Sequence, residues 1–376
     1  MYLTLIDPNL AGHHVIYLKH IIETLEKKGH QILVLSSEDY LHYKGDFHGR
    51  HKYCKVKYIR FLILSSNFLM KKLRICMNLL IFIYNILAVR CKTHRNDKLF
   101  FCGIDDYMHD LMPTWLIEWL LPRQFSGLLL DPRSKTPLFN FDKRNILKSK
   151  YCKSVAVLDE FCNIQLESFN KNIVYFPDFS DESSPNFDFE VVAELKARAK
   201  GRIIISLLGA LAPRKGYKLF SKLIEQLSSD KYFFLIAGAS SPYDTDFGEV
   251  KKQLLLHENC LLYNKPIPTE SDFNALVASS SIIFAIYENF RQSSNMLAKA
   301  SLFERPLLVS KGYYMEEVVS KYKIGYAVDH NDAKSCAEMI LQIDLDKQSL
   351  GFKEYLSFNS VHSLDATFDK IIQHYD

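Results

Sequence analysis

Two adjacent cations, Arg214 and Lys215, stand between glycines where an apolar run gives way to a helical pattern, in GALAPRKGYKLFSKLIEQL (209–227). A glycine lets the backbone come close to a ligand, and free amides at a helix start favour an anion. Arg supplies a planar fork and Lys a point charge for phosphate oxygens. The stretch predicts a diphosphate site, and a solvated basic turn is the alternative.

A second polar loop lies downstream, in AIYENFRQSSNMLAKASLFERPLLV (285–309). An apolar strand pattern ends in a loop that holds Glu288, Arg291, Ser293 and Ser294, and a helical pattern follows. A serine at a helix N-cap leaves neighbouring amides that can hold a phosphate. The loop predicts a further anion contact, with simple capping as the alternative.

Acids follow two predicted strands of the N-terminal half. Asp105 and Asp106 lie in CGIDDYMHD, and Asp131 lies in LLLDPRSK. Ligands bind beyond the carboxyl ends of parallel strands, so these acids are candidates for substrate contacts, unless they only cap the next helices. His13 and His14, on the first loop, are candidates for contacts with phosphate or sugar, or else surface residues.

The elements that must position these residues alternate in type. YLTLID, HVIYLKHIIETLEKKGH and QILVLSS form a strand, a helix and a strand, which is a βαβ unit with parallel strands. The alternation continues to about residue 159, and it resumes after 188 with six more strands. The segment 172–187, with two prolines and three acids, indicates a linker.

This pattern predicts an α/β protein with two doubly wound parallel sheets, and 376 residues suit two domains. We expect an N-terminal domain at 1–178, a C-terminal domain at 188–350 and a helix at 351–376 that packs back on the N-terminal domain. The two sheets are expected to face each other across a cleft.

Charge is unevenly spread along the chain. Residues 51–100 hold eleven Lys and Arg and one acid, Asp97. Apolar runs flanked by cations make 51–95 a predicted surface for anionic lipid headgroups, with a buried helix as the alternative. We expect no nucleic-acid partner, since no recognition motif accompanies the charge.

Membrane insertion and disulfides are not expected. The apolar run 75–89 falls short of the ~20 residues that span a bilayer, and the N-terminus lacks the pattern of a signal peptide. The eight cysteines are scattered without metal-ligand spacing, so no metal site is predicted and reduced thiols in a cytosol are expected.

The order of these motifs resembles the C-terminal domain of retaining glycosyltransferases of the GT-B fold, family 4. The resemblance lies in G-x-x-x-x-R-K-G after a strand, the strand-E-loop-helix, R-P-L-L-V-S and I-G-Y-A-V. AGHHVIYLKHIIETLEKKGHQILVLS resembles that family's first glycine loop and helix. The resemblance implies two Rossmann-like domains and a metal-independent transfer, with retention, from a UDP- or GDP-linked sugar.

The implied acceptor is a glycan or lipid-linked intermediate of cell-surface polysaccharide synthesis, in the cytoplasm or on the inner face of the membrane. The implied catalytic residues are Asp105, Asp106, Asp131 and Glu288. The implied donor-binding residues are Gly12, His13, Gly209, Arg214, Lys215, Asn264, Lys265, Arg291, Ser293, Ser294, Asn295 and Lys299.

The sequence departs from the family at two positions. Counting back from Pro306 places Lys299 where a second glutamate is usual, and Glu304 where a small residue is usual. A cation cannot accept hydrogen bonds from ribose hydroxyls, so Lys299 is expected to make the pocket more basic. A non-catalytic nucleotide- or glycan-binding protein on a degenerate scaffold is therefore the alternative. An epimerase or a phosphorylase, which share the two-domain plan, is a third reading.

Overall fold

The computed structural model describes residues 1–10, 13–43, 47, 49–62, 68–108, 113–132, 143–162, 170–345 and 351–375. Contacts divide the chain into two compact units. The first unit comprises 1–177 with 361–376, and the second comprises 178–360.

The first unit is built on a seven-stranded parallel sheet. Its strands are β1 (Tyr2–Asp7), β2 (Gln31–Ser36), β3 (Lys52–Lys55), β4 (Lys98–Phe101), β5 (Phe125–Leu129), β6 (Cys152–Val157) and β7 (Asn172–Tyr175). Its α-helices are α1 (His13–Lys27), α2 (Phe68–Lys92), α3 (Thr114–Leu120) and α12 (Ser363–Gln373). The strand order is β3-β2-β1-β4-β5-β6-β7.

The second unit is built on a six-stranded parallel sheet. Its strands are β8 (Ile203–Leu208), β9 (Tyr232–Ala237), β10 (Cys260–Tyr263), β11 (Ile282–Ala285), β12 (Leu307–Ser310) and β13 (Gly325–Val328). Its α-helices are α4 (Glu190–Ala199), α5 (Tyr217–Ile224), α6 (Thr245–Leu254), α7 (Glu270–Ala278), α8 (Met296–Leu302), α9 (Tyr314–Tyr322), α10 (Ala333–Gln342) and α11 (Phe352–Phe358). The strand order is β10-β9-β8-β11-β12-β13.

The central strands of both sheets are buried apolar runs, as strands covered on both faces must be. Across each sheet the strand numbers first fall and then rise, and the change lies between β1 and β4 in the first sheet and between β8 and β11 in the second. Such a switch point opens a crevice at the carboxyl ends of the two neighbouring strands, and ligands of open α/β sheets bind there. The prediction of two parallel α/β sheets is confirmed.

Several elements differ from their predictions. β3 was not predicted, and β7 lies in the predicted linker; both are four-residue strands at the sheet edges, with half-exposed residues that weaken the apolar signal. Residues 143–148, in KRNILKSKY (143–151), where the sequence pattern predicts a helix, form a 3₁₀ helix rather than an α-helix. The segment 351–376 is divided, because α11 belongs to the second unit and α12 to the first.

Helix α2 is longer than the apolar run 75–89 that the sequence analysis singled out. The helix has 25 residues, and its part Leu73–Lys92 is long and apolar enough to cross a membrane by length and composition. Phe82, Ile86 and Val89 on one face of α2 belong to the buried core of the first unit. The helix is therefore a packed element of the first unit as well as an apolar one.

Candidate functional site

The two cations of the second unit lie at its switch point. After β8 the chain turns at Gly209, whose φ of +95° favours glycine, and forms a 3₁₀ helix at Pro213–Lys215 before α5. Gly216 has φ +73°, and a Cβ there would lie 2.3 Å from the carbonyl oxygen of Ile286. Only glycine therefore lets this turn pack against the end of β11.

Contacts join this turn to the loop after β11. The backbone N–H of Glu288 donates to the carbonyl oxygen of Arg214 at 2.8 Å. Lys215 Nζ donates to the Tyr287 hydroxyl at 2.7 Å, and the Arg214 guanidinium lies 4.8 Å from the ring centroid of Phe290. The two loops, more than 70 residues apart in sequence, therefore form one cluster, which we call the cation cluster.

The cation cluster has the chemistry of an anion site. Arg214 is exposed and Lys215 is half-buried. Within the described part of the chain, no carboxylate lies at ion-pair distance from either side chain. Aromatic rings hold the two cations by cation–π contact without neutralising them. Two adjacent, positioned positive charges suit the oxygens of a diphosphate.

The loops after β9 and β10 lie beside the same turn. A Cβ on Gly238 would lie 1.9 Å from the carbonyl oxygen of Gly209, so the backbones touch there. Asn264 Oδ1 accepts from the backbone N–H of Ser240 at 3.0 Å, which ties the two strand ends together. Lys265, the next residue, is exposed. Of these two residues, both implied by the resemblance to bind the donor near its base, Asn264 thus also holds the two loops together.

The loop 291–295 presents fewer groups than predicted. Arg291 is exposed, whereas Ser294 and Asn295 are buried. The Ser293 hydroxyl donates to the buried carboxylate of Asp178, because a buried carboxylate needs donors. The N-cap of α8 is Asn295, without a side-chain cap hydrogen bond, rather than either serine. Of the predicted residues in this loop, Arg291, Ser293, Ser294 and Asn295, the exposed one is Arg291.

Lys299 does not make the pocket more basic. Its side chain is 1% exposed, and Nζ donates to Glu270 Oε2 at 2.6 Å and to Asn274 Oδ1 at 2.8 Å. The ring of Phe273 lies 4.9 Å from Nζ. Because a buried ammonium must be paired, the side chain turns toward α7, where Glu270 balances its charge. The prediction that Lys299 makes the pocket more basic is therefore wrong, because its charge is paired with that of Glu270.

The first unit gathers acidic groups at its own switch point. Asp7, the last residue of β1, is fully buried, and Nδ1 of His14 in the first turn of α1 lies 3.1 Å from its Oδ1. Gly103 follows β4, and a Cβ there would lie 3.4 Å from His14 Cε1 and 3.6 Å from Asp106 Oδ2. We call Asp7, His14 and Asp106 the acid–imidazole cluster.

Burial and mutual charge shift these groups. Burial raises the pKa of Asp7, against the hydrogen bond from His14. Burial alone would lower the pKa of His14, but the hydrogen bond and charge of Asp7 outweigh it and raise that pKa. Burial, helped by the charge of Asp7, raises the pKa of Asp106 to about 6. Perturbed groups in a crevice are typical of functional sites.

Asp105 and Asp131 lie next to this cluster but differ from it in role. The Asp105 carboxylate accepts from the backbone N–H groups of Leu130 at 2.6 Å and Asp131 at 3.2 Å. Asp105 therefore holds the loop after β5, and the Asp131 side chain is half-buried in that loop. Gly12 lies outside the described residues, and of His13 only the backbone, the first residue of α1, is described.

Sequence reasoning missed Asp7 and the two aromatic residues Tyr287 and Phe290. Asp7 carries the signal that singled out Asp106, an acid at the end of a strand, and the strand order adds that β1 and β4 are neighbours. Tyr287 and Phe290 flank the predicted Glu288. Their role beneath the cations required the contact between the two loops.

Comparisons with known proteins agree with this architecture. Residues 189–355 match the model of the family described as glycosyl transferases group 1. No curated protein sequence matches the chain. Among solved structures, sucrose-phosphate synthase of Thermosynechococcus elongatus is 14% identical, with a TM-score of 0.68 over 100% of this chain and 99% of that one.

Two further structures show the same fold. HepE of Anabaena, in complex with UDP and glucose, is 12% identical, with a TM-score of 0.65 over 99% of each chain. A UDP-forming α,α-trehalose-phosphate synthase of Burkholderia vietnamiensis is 9% identical, with a TM-score of 0.69 over 99% of each chain. At these identities the likeness establishes the fold.

Proposed function

We propose that this chain, which carries a glycosyl transferases group 1 domain at residues 189–355 within a GT-B fold, transfers a sugar from a nucleotide sugar to an acceptor hydroxyl. The observation that carries the proposal is the cation cluster at the switch point of the second sheet. It offers two positioned positive charges, Arg214 and Lys215, on a turn whose glycines pack closely against the neighbouring strand ends.

The cation cluster would act on the leaving group. When the bond between sugar and diphosphate breaks, negative charge grows on the diphosphate, and fixed cations stabilise that charge by several kcal/mol. Arg214 and Lys215 would supply this stabilisation, with Arg291 at the rim. Because these side chains can neutralise the diphosphate, the proposed reaction needs no metal, and we expect turnover to survive EDTA.

The donor is proposed to be UDP-linked, with a GDP-linked sugar as the second choice. HepE was crystallised with UDP, and the trehalose-phosphate synthase is described as UDP-forming. Asn264 and Lys265 would lie toward the base, and Glu288 toward the sugar. The proposed stereochemistry is retention, on the resemblance of the 285–329 segment, and NMR of the fresh product tests it.

The first unit is proposed to bind the acceptor. A hydroxyl that attacks the donor must lose a proton, and Asp7 holds the His14 imidazole by its Nδ1–H so that Nε2 can face that hydroxyl. Asp106 would orient the acceptor by accepting a hydrogen bond. We propose a glycan or lipid-linked acceptor of cell-surface polysaccharide synthesis, and a cytoplasmic location at the inner face of the membrane, which the cationic segment and the free cysteines support.

The experiment is a double substitution, Arg214→Ala with Lys215→Ala. We expect UDP to raise the unfolding temperature of the wild type, since a ligand at 100 times its Kd adds about 2.7 kcal/mol of stability. The double variant should lose both this shift and turnover with a panel of UDP- and GDP-sugars. Lys231→Ala with Lys252→Ala removes the same charge from exposed positions of the second unit and should change neither.

The outcomes separate the competing functions. Turnover that is unchanged in the Arg214 and Lys215 variant would overturn the assignment of the cation cluster. A UDP shift without turnover on any acceptor would favour a binding protein. The observation that motivated that alternative, a cation at position 299, is weakened because Glu270 pairs with Lys299.

A further inference from the structure

The outer face of α2 carries an apolar stripe where a surface helix carries polar residues. The exposed side chains of the described part of the helix recur at intervals of three and four and so lie on one side. Except for Lys92 at its last position, they are Leu73, Cys76, Met77, Leu80, Tyr84, Leu87 and Cys91. Leu80 is 61% exposed and Leu73 57%. We call these seven residues the α2 stripe.

The opposite face of α2 is also apolar, because it packs on the core. Phe82, Ile86 and Val89 are at most 1% exposed and belong to the main hydrophobic cluster of the first unit. A helix that is apolar on all sides is normally buried on all sides. The fold of the first unit therefore leaves a continuous apolar row facing outward.

Two exposed tryptophans lie on α3, the helix that ends against α2. Trp115 and Trp119, one turn apart on α3, are 69% and 67% exposed. Arg90 near the end of α2 donates to the carbonyl oxygens of Trp119 at 3.0 Å and Leu120 at 3.2 Å, so α3 ends against α2. Tryptophan prefers the boundary between an apolar and an aqueous phase.

Positive charge lies at both ends of the α2 stripe. The sequence of α2, 68–92, contains no Asp or Glu. Lys92 and Arg95 are exposed just beyond the stripe, and Arg74 lies near its other end. The nearest acid on α3, Glu118, accepts from the backbone N–H of Lys150 at 2.8 Å, and its other oxygen lies 3.8 Å from Lys150 Nζ. An apolar row with a cationic border complements a bilayer that has anionic headgroups.

We infer that the α2 stripe, with Trp115 and Trp119, docks the protein on an anionic lipid bilayer, with α2 lying in the plane of the interface. The helix lies rather than spans because its inner face holds core residues that a crossing would strip from the protein. A second copy fits less well, since two facing stripes would bring like charges together. The inference rests on the proposed function at one point: a protein docked in this way would encounter the proposed lipid-linked acceptor at the bilayer.

Intrinsic fluorescence tests the inference directly, because Trp115 and Trp119 are the two tryptophans of the chain. With vesicles of 70% phosphatidylcholine and 30% phosphatidylglycerol, we expect a blue shift of the emission, quenching by brominated lipid and flotation with the vesicles. Pure phosphatidylcholine and high salt should each weaken binding, because the cationic border then contributes less.

The matched variants place charge on two exposed apolar sites. Leu80→Glu with Tyr84→Glu should lower vesicle affinity at least tenfold. Leu255→Glu with Leu256→Glu adds the same charge at exposed positions of the second unit, 65% and 82% exposed, and should bind vesicles like the wild type. A circular dichroism spectrum and an unfolding temperature like those of the wild type would establish that the Leu80 and Tyr84 variant is folded.

Three results would overturn the inference: a wild type that fails to bind vesicles of either composition, a Leu80 and Tyr84 variant that binds like the wild type, or a Leu255 and Leu256 control that loses binding equally. If the wild type is a dimer that does not bind vesicles, and the Leu80 and Tyr84 variant is a monomer, the stripe would instead be an interface with a second copy. Failure of the proposed function would give a different result: the wild type would float with vesicles, but UDP would not raise its unfolding temperature.

Discussion

At the scale of residues, each cluster carries the charge that its proposed partner requires. Arg214 and Lys215 are cations for a diphosphate, whereas Asp7 and Asp106 are acids that would repel one. Acids accept hydrogen bonds from hydroxyl groups, so the acid–imidazole cluster suits an uncharged sugar hydroxyl. The two clusters therefore divide the substrates by charge.

Asp106 gives a pH dependence of stability with a definite sign. Its pKa rises from 3.8 to about 6 in the folded protein, so the folded state holds a proton that the unfolded state releases between these values. Stability from this group is present below about pH 4 and is lost as the pH rises toward 6. Asp106→Asn should therefore raise the free energy of unfolding at pH 7 by about 1–2 kcal/mol.

A pKa shift of two units corresponds to about 3 kcal/mol of stability. The expected gain is smaller because the Asp106 side chain is only half-buried and because its charge also favours the protonated form of His14. Urea unfolding at pH 4 and pH 7 measures the effect, which should be small at pH 4. Asp39→Asn, at an exposed carboxylate of the same unit, is the control. A gain of equal size at both pH values would contradict the assigned shift.

Glu304 is strained in its backbone. It is exposed and has φ +52°, a left-handed conformation that costs residues with a Cβ about 1–2 kcal/mol. Glu304→Gly removes this cost but increases the entropy of the unfolded chain, so we expect a net gain of about 0.5–1 kcal/mol in thermal or urea unfolding. Glu304→Ala keeps the Cβ and should bring no gain. A larger gain from alanine than from glycine would refute the backbone explanation.

At the scale of elements, α7 and α8 are joined by the pair of Lys299 and Glu270. The two ends of this pair differ in burial, since Lys299 is 1% exposed and Glu270 is 39% exposed. Glu270→Gln leaves a buried ammonium without a full counter-charge, whereas Lys299→Met leaves a carboxylate that water can solvate. Lys299→Met also leaves the buried Asn274 Oδ1 without the donor that Lys299 supplies. We expect Glu270→Gln to cost about 2–3 kcal/mol and Lys299→Met about 1–2 kcal/mol in urea unfolding. Equal losses would show that the pair is solvated at both ends.

The sequence predicted most of these elements, because apolar strands and amphipathic helices leave a periodic signal. It did not reveal β3 and β7, whose four residues at a sheet edge are too few and too exposed for a period to appear. It placed Lys299 in the pocket because motif position does not show side-chain direction. The direction follows from Glu270 on another helix, and only the fold brings the two together.

At the scale of the whole molecule, the chain ends by returning to its first unit. Phe368 on α12 is fully buried, with its ring centroid 5.2 Å from that of Phe100 and 6.3 Å from that of Phe176. The Tyr375 hydroxyl donates to the carbonyl oxygen of Leu99 at 2.6 Å. The last 16 residues thus complete the core beside β4, next to the strand that carries Asp7.

Phe368→Ala tests whether this closure serves the first unit alone. Loss of a buried Phe side chain should cost about 3–5 kcal/mol, while the UDP shift that depends on Arg214 and Lys215 persists at temperatures where the protein is folded. Phe358→Ala, on the neighbouring helix α11 and 53% exposed, should change stability by less than about 0.5 kcal/mol. Calorimetry with and without UDP resolves the two effects. If Phe368→Ala abolished UDP binding in the folded protein, the cation cluster would depend on the first unit, and the division of donor and acceptor between two self-contained sheets would fail.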